Sequence, residues 1–206
     1  MTTLPETRLR APTTDDRDDP QLLALHRTPD QLEAGLAAIR AAPNDDGTLE
    51  LIACRPDRNE RVVLDTATLD VDAGVVGDSW VTRGSSAMPD HSPHPEAQVT
   101  LMNARVIALL AGDRARWPIA GDQLYVDLDL SLDNLPAGTR LQLGDAVLQV
   151  TPLPHTGCAK FSARFGSEAL RWVNTPTGRA LNLRGIHARV VTAGQVRRGD
   201  AIRKLT

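Results

Sequence analysis

The sequence predicts a mainly β chain with a few short helices, an α+β fold whose strands form a closed or nearly closed antiparallel barrel. Three observations carry this expectation. Short extended runs recur along the chain and are joined by glycine-aspartate turns, at Gly144-Asp145 and Gly199-Asp200. Residues 139–143 and 146–151 alternate on either side of the first of these turns and give the strongest hairpin signal in the chain. Helical periodicity is confined to a few stretches, too few to cover both faces of a parallel sheet.

The chain has 206 residues, enough for one well-buried core, so a single domain over residues 28–206 is expected behind a looser arm at 1–27. Hydrophobic residues make up 41% and charged residues 24%, which fits a soluble folded protein. A net charge of −3 argues against a nucleic-acid binder that works by broad attraction to phosphate, so any anion site must be local. No apolar run is long enough to span a membrane and the first residues lack the pattern of a signal peptide, which makes a cytoplasmic location the expectation. Two cysteines do not make a disulfide framework. Whether Cys54 and Cys158 can pair is left open.

In chain order, residues 1–20 mix Thr, Pro, Asp and Arg without apolar periodicity and read as a solvated segment. Thr28-Pro29-Asp30-Gln31 starts a helix over about 29–42, with a threonine N-cap, proline at the first helical position and glutamine completing a capping box. From Thr48 the period becomes strand-like: 49–53, 61–64 and 67–71 read as strands, with Cys54 closing the first in a structural role. A long loop over 81–97 follows Gly77-Asp78 and carries Arg83, Asp90, His91, His94 and Glu96. His91 and His94 offer a weak zinc pattern without the four fixed ligands of a structural site, and exposed loop histidines are the preferred reading.

Residues 98–102 form a short buried strand running into Asn103, an N-cap for the apolar helix that Gly112 closes. Another strand spans 125–130, and the hairpin at Gly144-Asp145 then delivers the chain to the stretch that carries the chemistry. There Pro152 and Pro154 break a strand and His155-Thr156-Gly157-Cys158-Ala159-Lys160 follows, with a helical pattern beginning just after the cysteine and interrupted at Gly166. A thiol gains nucleophilic character when cationic groups or helix-terminal amides lie close and water reaches it. Lys160, Arg164 and His155 supply the charge, so Cys158 is the candidate nucleophile and Lys160 its catalytic partner. Residues 184–193 form a strand, and two short ones follow around Gly199-Asp200.

The ordered set Gly74-Val75-Val76-Gly77-Asp78, Gln98-Val99-Thr100-Leu101-Met102, Gly121-Asp122-Gln123-Leu124, Leu143-Gly144-Asp145-Ala146, the cysteine stretch and Arg184-Gly185-Ile186-His187 resembles the MOSC family, named for the C-terminal domain of molybdenum cofactor sulfurase. The matching pieces span roughly residues 48–205 in family order. Two departures stand out: Ser79-Trp80 follows Gly77-Asp78 where a histidine and a basic cluster are frequent, and Asp122-Gln123 stands where many members have Glu-Asn. The resemblance implies a cysteine, here Cys158, that carries sulfane sulfur as a persulfide or contacts molybdenum in the molybdenum cofactor. It implies no pyridoxal phosphate in this chain, and hence a separate cysteine desulfurase-type donor and a metalloenzyme acceptor. Arg83, Arg184 and Arg189 are the candidates for the cofactor's anionic groups. His155 adds charge, and Asp78, Gln98, Asn103 and Asp122 either orient a ligand or cap turns. Two other functions stay open: a molybdenum-dependent reductase of N-hydroxylated compounds, and a non-catalytic barrel that binds an anion or a protein.

Overall fold

The computed structural model describes residues 7–205. The chain begins with strand β1 (Thr7–Arg10), a single 3-10 turn at Thr14–Asp16 and helix α1 (Pro20–Leu23). Next come α2 (Pro29–Ala34) and α3 (Leu36–Arg40), then strands β2 (Gly47–Cys54), β3 (Glu60–Leu64), β4 (Thr66–Asp70) and β5 (Gly74–Val75). The middle of the chain is α4 (Trp80–Arg83), β6 (Val99–Asn103), α5 (Ala104–Ala111), a 3-10 helix at Arg114–Ala120, β7 (Leu124–Asp127), β8 (Arg140–Leu143) and β9 (Ala146–Val150). It ends with α6 (Ala159–Asn174), α7 (Pro176–Ala180), β10 (Ile186–Thr192), β11 (Gly194–Arg197) and β12 (Ala201–Leu205).

The barrel is closed. Its circuit runs β2-β12-β8-β9-β10-β6-β7 and returns from β7 to β2 through Leu49↔Val126 and Ile52↔Leu124. Every pair in the circuit is antiparallel except β6–β7, which is parallel and is crossed over by α5 and the 3-10 helix, so the barrel is mixed. A parallel pair needs such a crossover, and the apolar helix that starts at Asn103 supplies it. The β8–β9 hairpin closes at Leu143↔Ala146, the register expected of the Gly144-Asp145 turn. Strands β3 and β1 extend the sheet beyond the end of β2, and β11-β4-β5 form a separate small sheet.

Alternation along the strands sorts the core into two clusters. Leu49, Leu101, Leu124, Leu141, Leu148, Ala188 and Ile202 belong to one, formed among the strands. Their neighbours Met102 and Tyr125 face the other way and pack with Leu32, Ile107, Leu110, Phe161, Phe165 and Trp172 of the helices. Period-two side-chain direction therefore places one layer between the strands and another beneath the helices.

Helix starts follow the sequence closely. Thr28 caps α2 with its side chain, and Gln31 completes the box. Asn103 accepts from the amides of Arg105 and Val106. The helix expected over 29–42 is two shorter ones, divided at Gly35, where a side chain would collide with Leu109 of α5. Helix α6 is interrupted at Gly166, whose φ of 93° and ψ of 161° lie in a region that only glycine occupies readily. The ring of His26 packs 3.0 Å from where a Cβ on Gly166 would stand. Among the described N-terminal residues, β1 pairs with β3, Ala11 is buried in the core beneath the helices, and α1 touches α6. The loop expected over 81–97 holds α4 and a 3-10 turn at Pro95–Ala97.

Candidate functional site

Strand β9 ends because Pro152 and Pro154 have no amide to continue its ladder. The Thr151 hydroxyl anchors the exit by donating to the Glu96 carbonyl at 2.7 Å. Four residues after Pro154 the chain turns into α6, with Cys158 as the N-cap in extended conformation. The Cys158 side chain makes no capping bond and is exposed. The sulfur is thus presented to solvent at the start of a helix rather than packed in the core.

Beside it lies a cleft of about 260 Å³. Its charged lining brings together Arg55, Arg58, Arg61, Arg83, Lys160, Arg164 and Arg184 against the carboxylate of Asp57. These cations arrive from four parts of the sequence: the β2–β3 region, α4, α6 and the approach to β10.

Two of the arginines are held by buried carboxylates beneath the cleft. Arg55 donates to Asp78 from Nε (2.8 Å) and Nη2 (2.9 Å), and its Nη1 reaches the Gly121 carbonyl at 2.9 Å. Asp78 also accepts from the Trp80 amide at 2.9 Å, which ties α4 to the pair. Arg184 Nη1 donates to both oxygens of Asp122 at 3.0 and 2.7 Å, and its guanidinium lies 5.0 Å above the ring of Phe161. Its Nε is buried without a partner among the described residues.

Arg61 and Arg164 are buried too, and the partners of both are carbonyls. Arg61 donates to Pro118 and Glu60 (3.2 and 2.6 Å), and Arg164 to Pro12 and Ala120 (3.0 and 3.3 Å). The two guanidiniums converge over Gly121: a Cβ there would stand 3.3 Å from Arg164 Nη1 and from Arg61 Nη2. Gly121, at φ 96°, ends the 3-10 helix in the left-handed region and leaves the space for them. Burial, then Arg164 and Arg55, pushes Arg61 down to about 10. Arg164 and Arg83 are lowered by burial and by neighbouring arginines, and Lys160 by burial and then by Arg58. In each case burial comes first, and the positive charge gathered around the cleft adds to it.

His155 and His187 form the far wall, their rings 4.3 Å apart. His187 Nδ1 is 3.1 Å from the Leu153 carbonyl, and His155 Nδ1 is 3.6 Å from Asp122 Oδ1. Burial, reinforced by Arg184, holds His155 well below its ordinary value, and burial also lowers His187. Below pH 6.5 the unfolded chain protonates its imidazoles while folded His155 resists protonation, so its stabilising contribution is present above pH 6.5 and declines as the pH falls. The expected slope between pH 6.5 and 5.5 is up to about 1.4 kcal/mol per pH unit for His155. Denaturant unfolding across that window checks it, with His155→Gln flattening the slope.

Of the residues expected from sequence, Cys158, Lys160, Arg83, His155 and Arg184 line the cleft. Asp78 and Asp122 lie beneath it, each holding one guanidinium. Gln98, Asn103 and Arg189 lie outside it. Gln98 bridges backbone groups, donating to Val71 (2.6 Å) and accepting from Val190 (2.7 Å). Asn103 caps α5 and donates to Leu128 at 2.7 Å, and Arg189 is exposed and pairs with Gln149. The sequence reading did not single out Arg55, Arg58, Arg61 or His187. A faint signal existed for Arg61, a charge heading the apolar run Val62-Val63-Leu64. His94 turns its Nδ1 onto the Glu96 amide, and among the described residues no group of three or more His, Cys, Asp and Glu side chains could hold a metal ion.

Fold and site together define a closed mixed barrel that presents a thiol beside a polycationic cleft. The MOSC domain family model matches residues 88–203, more than half of the chain, and the chain belongs to that family. Solved structures with the same fold include the YUAD protein from Bacillus subtilis (19% identity, TM-score 0.54, covering 76% of this chain and 93% of that one). YiiM from Escherichia coli aligns at 16% identity with a TM-score of 0.51, over 77% of this chain and 70% of that one. YiiM from Geobacillus stearothermophilus aligns at 12% identity with a TM-score of 0.53, over 78% and 75%. At these identities the likeness concerns the fold. Comparison with curated proteins gives no match. Among the described residues no helix is long and apolar enough to cross a membrane.

Proposed function

We propose that Cys158 carries sulfane sulfur and that the cleft beside it holds the anionic part of a donor, acceptor or cofactor. The observation that supports this most directly is an exposed thiol opening onto a cleft lined by seven cationic side chains. In the forward step the Cys158 thiolate attacks the terminal sulfur of a donor persulfide. A new S–S bond forms at Cys158, the donor's S–S bond breaks and its thiolate leaves, so electrons and sulfur balance. The bound persulfide is an anion, which Lys160 and Arg164 favour. Transfer to the acceptor is the same exchange in reverse. The donor class is a cysteine desulfurase, and the acceptor is a metalloenzyme that takes sulfur.

A single persulfide does not need so many cations, and this favours a cofactor reading of the same site. The cleft chemistry fits the molybdenum cofactor: Arg61, Arg164 and the unpartnered Nε of Arg184 suit a phosphate, and a thiolate is a soft ligand suited to a metal. Arg61, Arg164 and Arg184 would hold the anionic group, and Cys158 would face the metal. When bound, the cofactor supplies molybdenum redox chemistry, as reduction of N-hydroxylated compounds requires.

The deciding experiment is intact-mass spectrometry after incubation with a cysteine desulfurase and cysteine. The wild-type chain should gain one sulfur atom that dithiothreitol removes, Cys54→Ser should behave alike, and Cys158→Ser should gain none. A wild-type chain that stays unlabelled overturns the carrier reading. Molybdenum at one atom per chain after expression in a cofactor-competent host then decides for the cofactor reading, and its absence decides against it.

A further inference from the structure

A second cavity of about 360 Å³, within the range of small-molecule sites, backs onto the first. Its apolar surface comes from Leu135, Val150, Leu153, Val173 and Ile186, with Pro152 and Pro154 adding carbon surface where amides would otherwise point. Its charged lining is Arg179 and Arg184, with no Asp or Glu. Arg184 is already matched by Asp122, whereas Arg179, exposed in α7, donates to the Asn174 carbonyl at 3.2 Å. The groove therefore combines hydrocarbon walls with one cation that has no carboxylate among its hydrogen-bond partners. His155 and His187, both lowered by burial, form the partition shared with the Cys158 cleft, so that side of the groove disfavours positive charge.

We infer that this groove is a binding site for a small organic acid with an apolar body and one anionic head group, the body lying against the proline loop and the head group pairing with Arg179. The hydrocarbon part of the walls disfavours a free phosphate or other hydrophilic anion, which gains nothing from it and is better matched by the polycationic cleft. The absence of lining carboxylates disfavours an apolar cation. The site does not depend on the chemistry of Cys158, and an occupant here would touch the loop that leads to it.

The test titrates the full chain with anilinonaphthalene sulfonate, an anionic apolar fluorophore, and with neutral N-phenylnaphthylamine, using octanoate as competitor. Saturable binding of the anionic probe, displaced by octanoate and not by phosphate, is the expected result. Ala137→Trp places a ring at the exposed mouth and should weaken both probes about tenfold, equivalent to about 1.4 kcal/mol. Leu132→Trp is a second plug at a position already 54% exposed, where the fold tolerates bulk. Arg179→Gln should weaken the anionic probe about three- to fivefold and leave the neutral one unchanged, as expected for an exposed charge pair. Failure of the anionic probe to bind, indifference to both plugs, or equal effects of Arg179→Gln on the two probes overturns the assignment. Persulfide labelling of Cys158 should be the same in every variant, which separates this site from the sulfur reading.

Discussion

Asp122→Ala should cost about 3–5 kcal/mol of folding stability, read as a shift in the urea unfolding midpoint. Asp122 is fully buried and takes both of its close contacts from Arg184 Nη1, itself in a side chain only 7% exposed. Without the carboxylate, that guanidinium keeps the Ala120 carbonyl and the face of Phe161, neither of which carries a full negative charge. It also joins Arg61 and Arg164 as buried positive charge near Gly121. The loss therefore comes from the orphaned cation, and a second substitution tests this. Asp122→Ala combined with Arg184→Leu should recover part of the stability because nothing charged is left unpaired. Breaking the exposed Arg203–Asp46 pair with Asp46→Asn, which keeps a residue type suited to the φ of 53° there, gives the contrast, about 0–1 kcal/mol, since water already solvates both partners. If the two aspartates cost the same, the buried pair does not organise the floor of the cleft.

The parts of this architecture legible in the sequence are those decided within a few residues. The Gly144-Asp145 hairpin, the Thr28 capping box, the Asn103 cap and the break at Gly166 depend on local backbone conformation, and residue type announces each of them. Cys158 was visible for the same reason, since two prolines must end a strand and a helical pattern starts one residue after the cysteine. The cleft itself was only half visible. Arg55, Arg58 and Arg61 reach it because barrel closure brings the β2–β3 region against α6, more than a hundred residues away in the chain, and no local spacing records that. The reverse holds for Gln98 and Asn103, whose polar side chains in apolar surroundings read equally well as ligand groups or as satisfied backbone partners. Their hydrogen bonds to Val71, Val190 and Leu128 account for their burial. The parallel β6–β7 pair was likewise beyond a reading that joined neighbouring strands by tight turns.

Phosphate should stabilise the folded chain, and Arg164→Gln should remove most of that gain. A ligand that binds only the native state adds RT ln(1 + [L]/Kd), about 2.7 kcal/mol at a hundredfold excess over Kd. For a chain of this size that corresponds to a rise in Tm of roughly 5–10 °C. Arg61 and Arg164 supply the difference between the two states of the cleft. Without an anion they repel each other across Gly121 and have carbonyls as partners, and Arg61 is lowered first by burial and then by Arg164. Filled, a dianion neutralises both. Arg164→Gln places its amide nitrogen where Nε stands and so keeps a donor for the Pro12 carbonyl, while removing the charge and the Nη1 contact to Ala120, so its stability in the absence of phosphate should change less than its response to phosphate. Gly121→Ala should lose the response by a different route, since its methyl group would enter the space where the two guanidiniums meet and its φ of 96° is strained for any residue with a Cβ. Raising the salt separates this site from general surface attraction: an enclosed pair of arginines is screened less than the exposed charges, so a phosphate response that vanishes at moderate ionic strength in the wild-type chain would locate the binding elsewhere on the surface.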